Sequence, residues 1–255
     1  MSTWSVEDFL NKKYKEYHHP RFIQNDPIAI PHRFSKKQDI EIAGFLTATI
    51  AWGQRTTILK NAARLMKYLQ NSPHDFICHH TDNDLIDLQN FVHRTFNAND
   101  LYFFIESLKN IYTRYDSLED AFIENQKNPG MEEMLIGFHQ TFFSLDHFPR
   151  TRKHLSTPAR NSACKRLNMF LRWMVRSSDG GVDFGIWKRI QAADLIIPLD
   201  IHVSRVACRL GLLQDPKPSW KQARQLTDTL KQWDAADPVK YDFALFGLGI
   251  EERIR

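Results

Sequence analysis

The sequence predicts an all-α protein, and two observations support this: its composition and the spacing of its apolar residues. The chain has 255 residues, of which 42% are hydrophobic, enough to bury a core. It contains only 10 glycines and 11 prolines, which is unusual for a loop-rich β-sandwich. Strand patterns do not alternate with helix patterns, so a parallel sheet is not expected.

Apolar residues recur at helical spacing along most of the chain. The predicted helical segments are residues 39–52, 56–69, 101–112, 131–145, 162–176, 219–233 and 239–246. Gly53 follows the first segment as a helix stop. Asn128-Pro129-Gly130 predicts a turn before the fourth.

Positive charge is concentrated in one part of the chain. The formal net charge is +4, yet residues 148–178 hold eight cations and no acid, so the rest of the chain sums to −4. Such a block predicts a phosphate-binding face, and a merely solvated helix face is the alternative. The eight cations are Arg150, Arg152, Lys153, Arg160, Lys165, Arg166, Arg172 and Arg176.

The three cysteines, Cys78, Cys164 and Cys208, are too few and too far apart for a disulfide framework or a CxxC metal site. No apolar run reaches the length of a membrane span, and the N-terminal segment does not have the layout of a signal peptide. We therefore expect a cytoplasmic, nucleoid-associated protein with no membrane partner. The adjacent histidine pairs lack the spacing of metal ligands, so no metal site is predicted.

Asp200 is the first candidate for a chemical role. It precedes an amphipathic segment, and aspartate is a favoured N-cap because it accepts hydrogen bonds from the first backbone N–H groups of a helix. A purely structural cap is one interpretation. The other is an ionised, fixed carboxylate that acts as a base or stabilises positive charge.

Lys165 is the second candidate. It lies at the predicted start of a helix and beside Arg166, where the helix dipole and a neighbouring cation disfavour an ammonium. Such a position favours a neutral, nucleophilic amine. A solvated or phosphate-binding lysine is the alternative.

Residues 197–212 read Ile-Pro-Leu-Asp-Ile-His-Val-Ser-Arg-Val-Ala-Cys-Arg-Leu-Gly-Leu. This segment resembles the signature of the helix-hairpin-helix DNA glycosylases. Endonuclease III-like members carry Val-Asp-Thr-His-Val/Ile, then Arg-Val and Arg-Leu-Gly; the Pro-x-Asp form is similar to the 8-oxoguanine glycosylase branches. The resemblance implies that Asp200 is catalytic and that a nucleophilic lysine lies upstream, on the second helix of the hairpin. Lys165 fits this position, and Lys188 is its rival.

Two further segments extend the resemblance. Residues 48–57 are similar to the family's early helix, which ends in a Ser/Ala-Gln pair, and residues 237–249 are similar to its final helix. The whole chain is also similar to an uncharacterised bacterial family of unknown function. The resemblance implies one domain with two intimately packed helical subdomains, residues 38–190 and residues 1–37 plus 191–255.

The resemblance and the basic block together imply which residues contact the substrate. The expected DNA-binding residues are Arg150, Lys153, Arg160, Asn161, Ser162, Arg166, Arg172, Gln54, Arg55 and His202. Trp52, Phe170 and Trp187 are candidates for stacking on a base, and for each of them a place in the core is the alternative.

The implied function is DNA repair: a monomeric glycosylase that excises an oxidised or otherwise damaged base from double-stranded DNA. Lys165 would form a Schiff base that permits abasic-site cleavage. Since the cysteines are too few for the iron–sulfur cluster of some family members, we expect no cofactor.

Two other functions stay open. The family's hairpin reads Leu-Pro-Gly-Val-Gly-x-Lys, whereas residues 155–165 contain no glycine. That departure favours a non-catalytic DNA- or RNA-binding module, although Asn161 and Ser162 could partly replace the glycines. The other alternative is a protein-interaction scaffold whose basic block meets an acidic partner.

Overall fold

The computed structural model describes residues 5–124 and 130–250, and these residues form an all-α fold, as predicted. The α-helices are α1 Val6–Tyr17, α2 Lys37–Thr49, α3 Arg55–Tyr68, α4 Pro73–His79, α5 Asp82–Ile86, α6 Ala98–Tyr112, α7 Leu118–Ile123, α8 Met131–Phe142, α9 Lys165–Val175, α10 Ile201–Arg209, α11 Trp220–Lys231 and α12 Tyr241–Ile250. Short 3₁₀ turns link several of them. Strands β1 Val92–His93 and β2 Phe96–Asn97 pair as an antiparallel hairpin.

The chain divides into two compact units. The terminal unit consists of Met1–Gln24 and Thr157–Arg255, and the central unit is Asn25–Ser156. The family resemblance predicts subdomain boundaries at residues 38 and 190, and these boundaries stay a prediction.

The core of the central unit is aromatic. Helix α2 is buried along almost its whole length, and Phe45 contacts Phe104, Phe138 and Phe142 at ring-centroid distances of 6.1, 5.7 and 5.4 Å. The three pairs are stacked, edge-on and tilted, respectively, and such aromatic pairs stabilise a core beyond their buried area.

A buried carboxylate on α2 links this helix to α6 and α7 by hydrogen bonds. Glu41 is fully buried and accepts hydrogen bonds from the Tyr112 hydroxyl at 2.8 Å and the Leu118 amide at 3.1 Å. Burial, together with the neighbouring Glu41 carboxylate, raises the pKa of Tyr112 well above its usual value. Tyr112 therefore remains a hydrogen-bond donor across the physiological pH range.

The terminal unit is organised around its last helix. Helix α12 packs against α1 and α10, and its residues Phe243, Leu245 and Leu248 are buried. A helix that is apolar on all sides belongs in a core, and this sequence, Tyr-Asp-Phe-Ala-Leu-Phe-Gly-Leu-Gly-Ile, has one charged residue. That residue is Asp242, and its surroundings define the candidate site described below.

Long periodic segments of the sequence predicted helices well, and short elements escaped prediction. The segment at residues 56–69 corresponds to α3, and the segment at 162–176 corresponds to α9, which begins three residues later. The β-hairpin and helices α4, α5 and α7 are too short to show a period. Asn128 and Pro129 of the predicted turn lie outside the described residues.

Across residues 5–124 and 130–250, every helix falls short of the length and hydropathy that a membrane crossing requires.

Candidate active site

Lys165 is the first residue of α9, as the sequence predicted. The chain reaches it through two residues in the left-handed region, Asn161 at φ 53° and Cys164 at φ 49°. Cys164 is the N-cap residue and makes no side-chain capping hydrogen bond. Lys165 therefore projects from a helix start that the side chain of its N-cap residue does not cap.

Asp200 is the N-cap of α10, which confirms the structural part of its prediction. Its Oδ1 accepts hydrogen bonds from the backbone N–H groups of His202 and Val203, both at 2.9 Å. These two bonds fix the carboxylate and satisfy two helix N–H groups that would otherwise lack partners. The second oxygen, Oδ2, accepts neither of these two bonds and faces Lys165.

The structure brings the two candidates together. Lys165 Nζ lies 3.5 Å from Asp200 Oδ2, although the two residues are 35 positions apart in the chain. Their side chains are 27% and 24% exposed, so the pair is accessible to a substrate while being partly screened from water. Lys188, the rival nucleophile, is exposed on a loop, and its carbonyl accepts a hydrogen bond from Gln191. The geometry therefore favours Lys165 over Lys188.

The charges of this pair act on a third ionisable group, which is buried in the core. Asp242, at the start of α12, is 4% exposed and forms an ion pair with Nη1 of Arg172. Burial raises the pKa of Asp242 to about 6, against the opposing charges of Arg172 and Lys165, while the charge of Asp200 adds to the rise. The charges of both members of the pair therefore act on Asp242.

Arg172 also connects to a deeper ion-pair network. Its Nε lies 3.4 Å from Asp183 Oδ1, and Arg176 Nη1 lies 2.6 Å from Asp183 Oδ2. Arg176 further binds Asp237 at 2.7 Å. Burial alone would lower the pKa of Arg176, but its bonds to Asp237 and the charge of Asp183 raise that pKa above the usual value. We call Arg172, Arg176, Asp183, Asp237 and Asp242 the buried ladder.

The buried ladder corrects one prediction. The sequence places Arg172 among the DNA-binding residues, but its side chain is 4% exposed and its guanidinium forms ion pairs with two carboxylates. A phosphate could reach it only by displacing those carboxylates. The basic block therefore divides into surface cations and cations that hold the terminal unit together.

Other predicted contacts in the terminal unit do lie at its surface. Arg160, Asn161 and His202 are exposed, and Ser162 is half-buried with its Oγ accepting a hydrogen bond from the Cys164 amide at 3.3 Å. Arg166 is half-buried, and burial lowers its pKa to about 10, which leaves it cationic at neutral pH.

The remaining predicted DNA contacts belong to the central unit. Arg150 donates hydrogen bonds to both carboxylate oxygens of Asp100, at 2.9 and 2.8 Å, and its side chain is 41% exposed. Lys153 and Gln54 are exposed, and Arg55 is half-buried as the first residue of α3. Their role in binding DNA stays a prediction.

The structure also corrects two of the three aromatic candidates. Phe170 is fully buried and Trp187 is 1% exposed, and the two rings meet edge to face at 5.3 Å. Neither ring presents a face for a base to stack on, so both belong to the core. Trp52 is half-buried in the central unit, against His93 at 5.0 Å and His154 at 5.9 Å.

The sequence analysis missed Asp183, Asp237 and Asp242. One signal for Asp242 was present, because a single acid in an otherwise apolar helix is rarely buried without a partner. Asp183 and Asp237 lie in loops and carry no local signal. Within the described ranges 5–124 and 130–250, no cluster of three or more His, Cys, Asp or Glu side chains could hold a metal ion.

Comparison with known proteins places this chain in a family. Residues 26–251 match the model of a family described as "Protein of unknown function (DUF2400)", and the chain belongs to that family. No curated protein and no solved structure matches the chain.

Proposed function

We propose that this member of the DUF2400 family is a DNA repair glycosylase with abasic-site lyase activity, in which Lys165 is the nucleophile and Asp200 its essential carboxylate. The observation that carries the proposal is the 3.5 Å approach of Lys165 Nζ to Asp200 Oδ2. The two side chains project from separate helix starts, and Asp200 stands in the segment that resembles the glycosylase signature. A lysine amine with a fixed base beside it is one arrangement that supports covalent catalysis.

The pair can perform the reaction in a simple sequence. Asp200 accepts a proton from Lys165, and the neutral amine attacks C1′ of the damaged nucleotide. The bond from Nζ to C1′ forms as the glycosidic bond breaks, and the base leaves with the electron pair and takes up a proton. Opening of the sugar ring gives a Schiff base, which allows elimination of the 3′ phosphate. Alternatively, Lys165 loses its proton to water, and Asp200 stays ionised and stabilises the positive charge that develops on the sugar.

DNA as the partner is supported by the start of α9. The side chain of its N-cap residue, Cys164, makes no capping hydrogen bond, and a helix N-terminus is a favourable place for a phosphate. Aligned on Lys165, Asn161 stands where the family's hairpin has its first glycine, and Asn161 has the left-handed φ of 53° that a glycine there would allow. Arg160, which precedes it, is exposed and adds positive charge.

Borohydride trapping tests the proposal. The protein is incubated with duplexes that carry an abasic site, 8-oxoguanine or an oxidised pyrimidine, and borohydride reduces any Schiff base to a stable amine. Wild type and Lys188→Gln should give a covalent adduct on at least the abasic duplex. Lys165→Gln should give none. Absence of an adduct on every duplex would refute the lyase assignment, and trapping by Lys165→Gln would exclude Lys165 as nucleophile.

Two observations favour a second function, a non-catalytic nucleic-acid-binding module. Ala163 stands at the second hairpin glycine, and the burial of Arg172 and Arg176 removes two cations from the surface of the basic block. On this alternative, the chain binds DNA or RNA in a salt-sensitive way and forms no adduct. The trapping experiment combined with a binding titration separates the two functions.

A further inference from the structure

Helix α10 presents a cationic face to solvent. The helix contains no acidic residue, and its solvent side is made almost entirely of polar cations and one apolar side chain. The exposed residues of α10 are Ile201, His202, Arg205 and Arg209. Positions 202, 205 and 209 are three and four residues apart, so their side chains lie on one face of the helix.

The two arginines of this face carry charge that their surroundings do not neutralise. Neither Arg205 nor Arg209 forms an ion pair or a side-chain hydrogen bond with a residue that the structure describes. They lie four positions apart, where two like charges repel each other and destabilise a helix. Burial, together with the charge of Asp215 in the loop after α10, raises the pKa of the half-buried Cys208. One carboxylate against two arginines leaves the face positive, and a positive face favours an anionic partner.

The face begins at the candidate active site. Asp200 is the N-cap of α10, and its Oδ2 lies 3.5 Å from Lys165 Nζ, so the charge of this carboxylate is offset where the face begins. At the rise of an α-helix, Arg209 lies about 14 Å along the axis from Asp200. One strand of B-DNA carries a phosphate about every 3.4 Å along its axis, so this length spans several phosphates. A strand that enters the site can therefore continue along α10.

We propose that the exposed face of α10 binds the sugar–phosphate backbone of the DNA strand that enters the candidate active site. Arg205 and Arg209 each contact a phosphate, because a guanidinium can donate two parallel hydrogen bonds to phosphate oxygens. Ile201, which follows Asp200 directly and is 38% exposed, offers an apolar contact to a sugar. The proposal rests on the proposed function for the identity of the partner.

Salt titration of DNA binding tests the two arginines. The whole chain is titrated against an abasic duplex by fluorescence anisotropy at several salt concentrations. Arg205→Met and Arg209→Met should each reduce the slope of log binding constant against log salt by about 0.9, and the double variant should reduce it by about 1.8. Circular dichroism checks that each variant is folded.

The matched control for this titration is Lys15→Met, which removes an exposed cation from α1, another helix of the same unit. This variant should leave the slope unchanged. An unchanged slope in the double variant, or a reduction as large in Lys15→Met as in the arginine variants, would overturn the proposal.

Alkylation of Cys208 tests the same face in wild-type protein. Cys208 is half-buried and lies between the two arginines in the chain, and Cys78, which is also half-buried but belongs to the central unit, is the internal reference. The rate at which iodoacetamide alkylates Cys208 should fall as the fraction of DNA-bound protein rises, and should recover when salt releases the DNA. The rate at Cys78 should not change. Undiminished alkylation of Cys208 at saturating DNA, or equal protection of both thiols, would overturn the proposal.

These measurements separate the α10 face from the glycosylase chemistry. Borohydride trapping with unchanged salt slopes and an unprotected Cys208 would refute the α10 face alone. Reduced slopes and a protected Cys208 without any adduct would support the α10 face and refute the lyase assignment. Absence of salt-sensitive DNA binding, or tighter binding of duplex RNA than of duplex DNA through the same arginines, would overturn DNA as the occupant of this face.

Discussion

Substitutions at Asp200 separate its role as a helix cap from its role as a carboxylate. Asp200→Ala removes two hydrogen bonds of 2.9 Å to the start of α10, and loss of an N-cap costs about 1 kcal/mol, within a range of about 0.5–2 kcal/mol. It also removes the ion pair with Lys165, whose partners are about a quarter exposed, so that screening limits its contribution to about 0.2–1 kcal/mol. Together these give a destabilisation of about 1–2 kcal/mol.

Asparagine and serine cap helices about as well as aspartate, so Asp200→Asn and Asp200→Ser should lose only the ion pair, about 0.2–1 kcal/mol. Urea denaturation followed by circular dichroism measures the three values, with unchanged slopes showing that the unfolded state is the same. If all three variants lose borohydride trapping while Asp200→Asn stays nearly as stable as wild type, the carboxylate is needed for chemistry. Wild-type trapping by Asp200→Asn, or equal destabilisation by Asn and Ala, would refute this reasoning.

Three further predictions follow from the same geometry. Arg176→Met should lower the free energy of unfolding, measured by urea titration, by about 3–5 kcal/mol, because the substitution leaves the buried Asp183 with one partner fewer. The control Arg205→Met, at an exposed position, should change the free energy of unfolding by less than about 0.5 kcal/mol. Burial raises the pKa of Asp242 to about 6 in the folded chain, above its usual value of 3.8, so between these pH values the native state binds more protons than the unfolded state and stability falls as pH rises. The free energy of unfolding of wild type minus that of Asp242→Asn should therefore decrease by about 2–3 kcal/mol from pH 4 to pH 6. A difference that stays constant over this range would contradict the prediction. Arg160→Ala should reduce the slope of log binding constant against log salt by about 0.9 in fluorescence anisotropy with duplex DNA, and exposed Lys217→Ala, outside the basic block, should leave the slope unchanged.

The two helix starts of the candidate site could be predicted because their signals are local. Asp200 caps α10 through bonds to residues two and three positions along the chain, and Lys165 begins α9 close to where the periodic apolar pattern begins. Capping and hydrophobic periodicity depend on neighbours within one or two turns, so a single sequence contains them. The 3.5 Å distance between the two side chains depends on the tertiary structure, and only the family resemblance predicted that they lie close together.

The buried ladder could not be predicted because its partners are remote in sequence. Arg172 looked like a surface cation, since arginine is seldom fully buried and the basic block around it contains no acid. Its carboxylates come from Asp183, in a loop, and Asp242, 70 residues along the chain. The burial of Phe170 and Trp187 could not be predicted either, because an aromatic residue at helical spacing fits a core and a binding surface equally well.

The position of the trapped adduct shows which lysine is the nucleophile. Wild-type protein is incubated with an abasic duplex, reduced with borohydride and digested, and mass spectrometry identifies the lysine that carries the sugar remnant. We predict a single modified position, Lys165, and loss of that modification in Asp200→Asn at unchanged DNA affinity. Modification of Lys188, or equal modification of several exposed lysines, would contradict the assignment of Lys165 and Asp200 as the reacting pair.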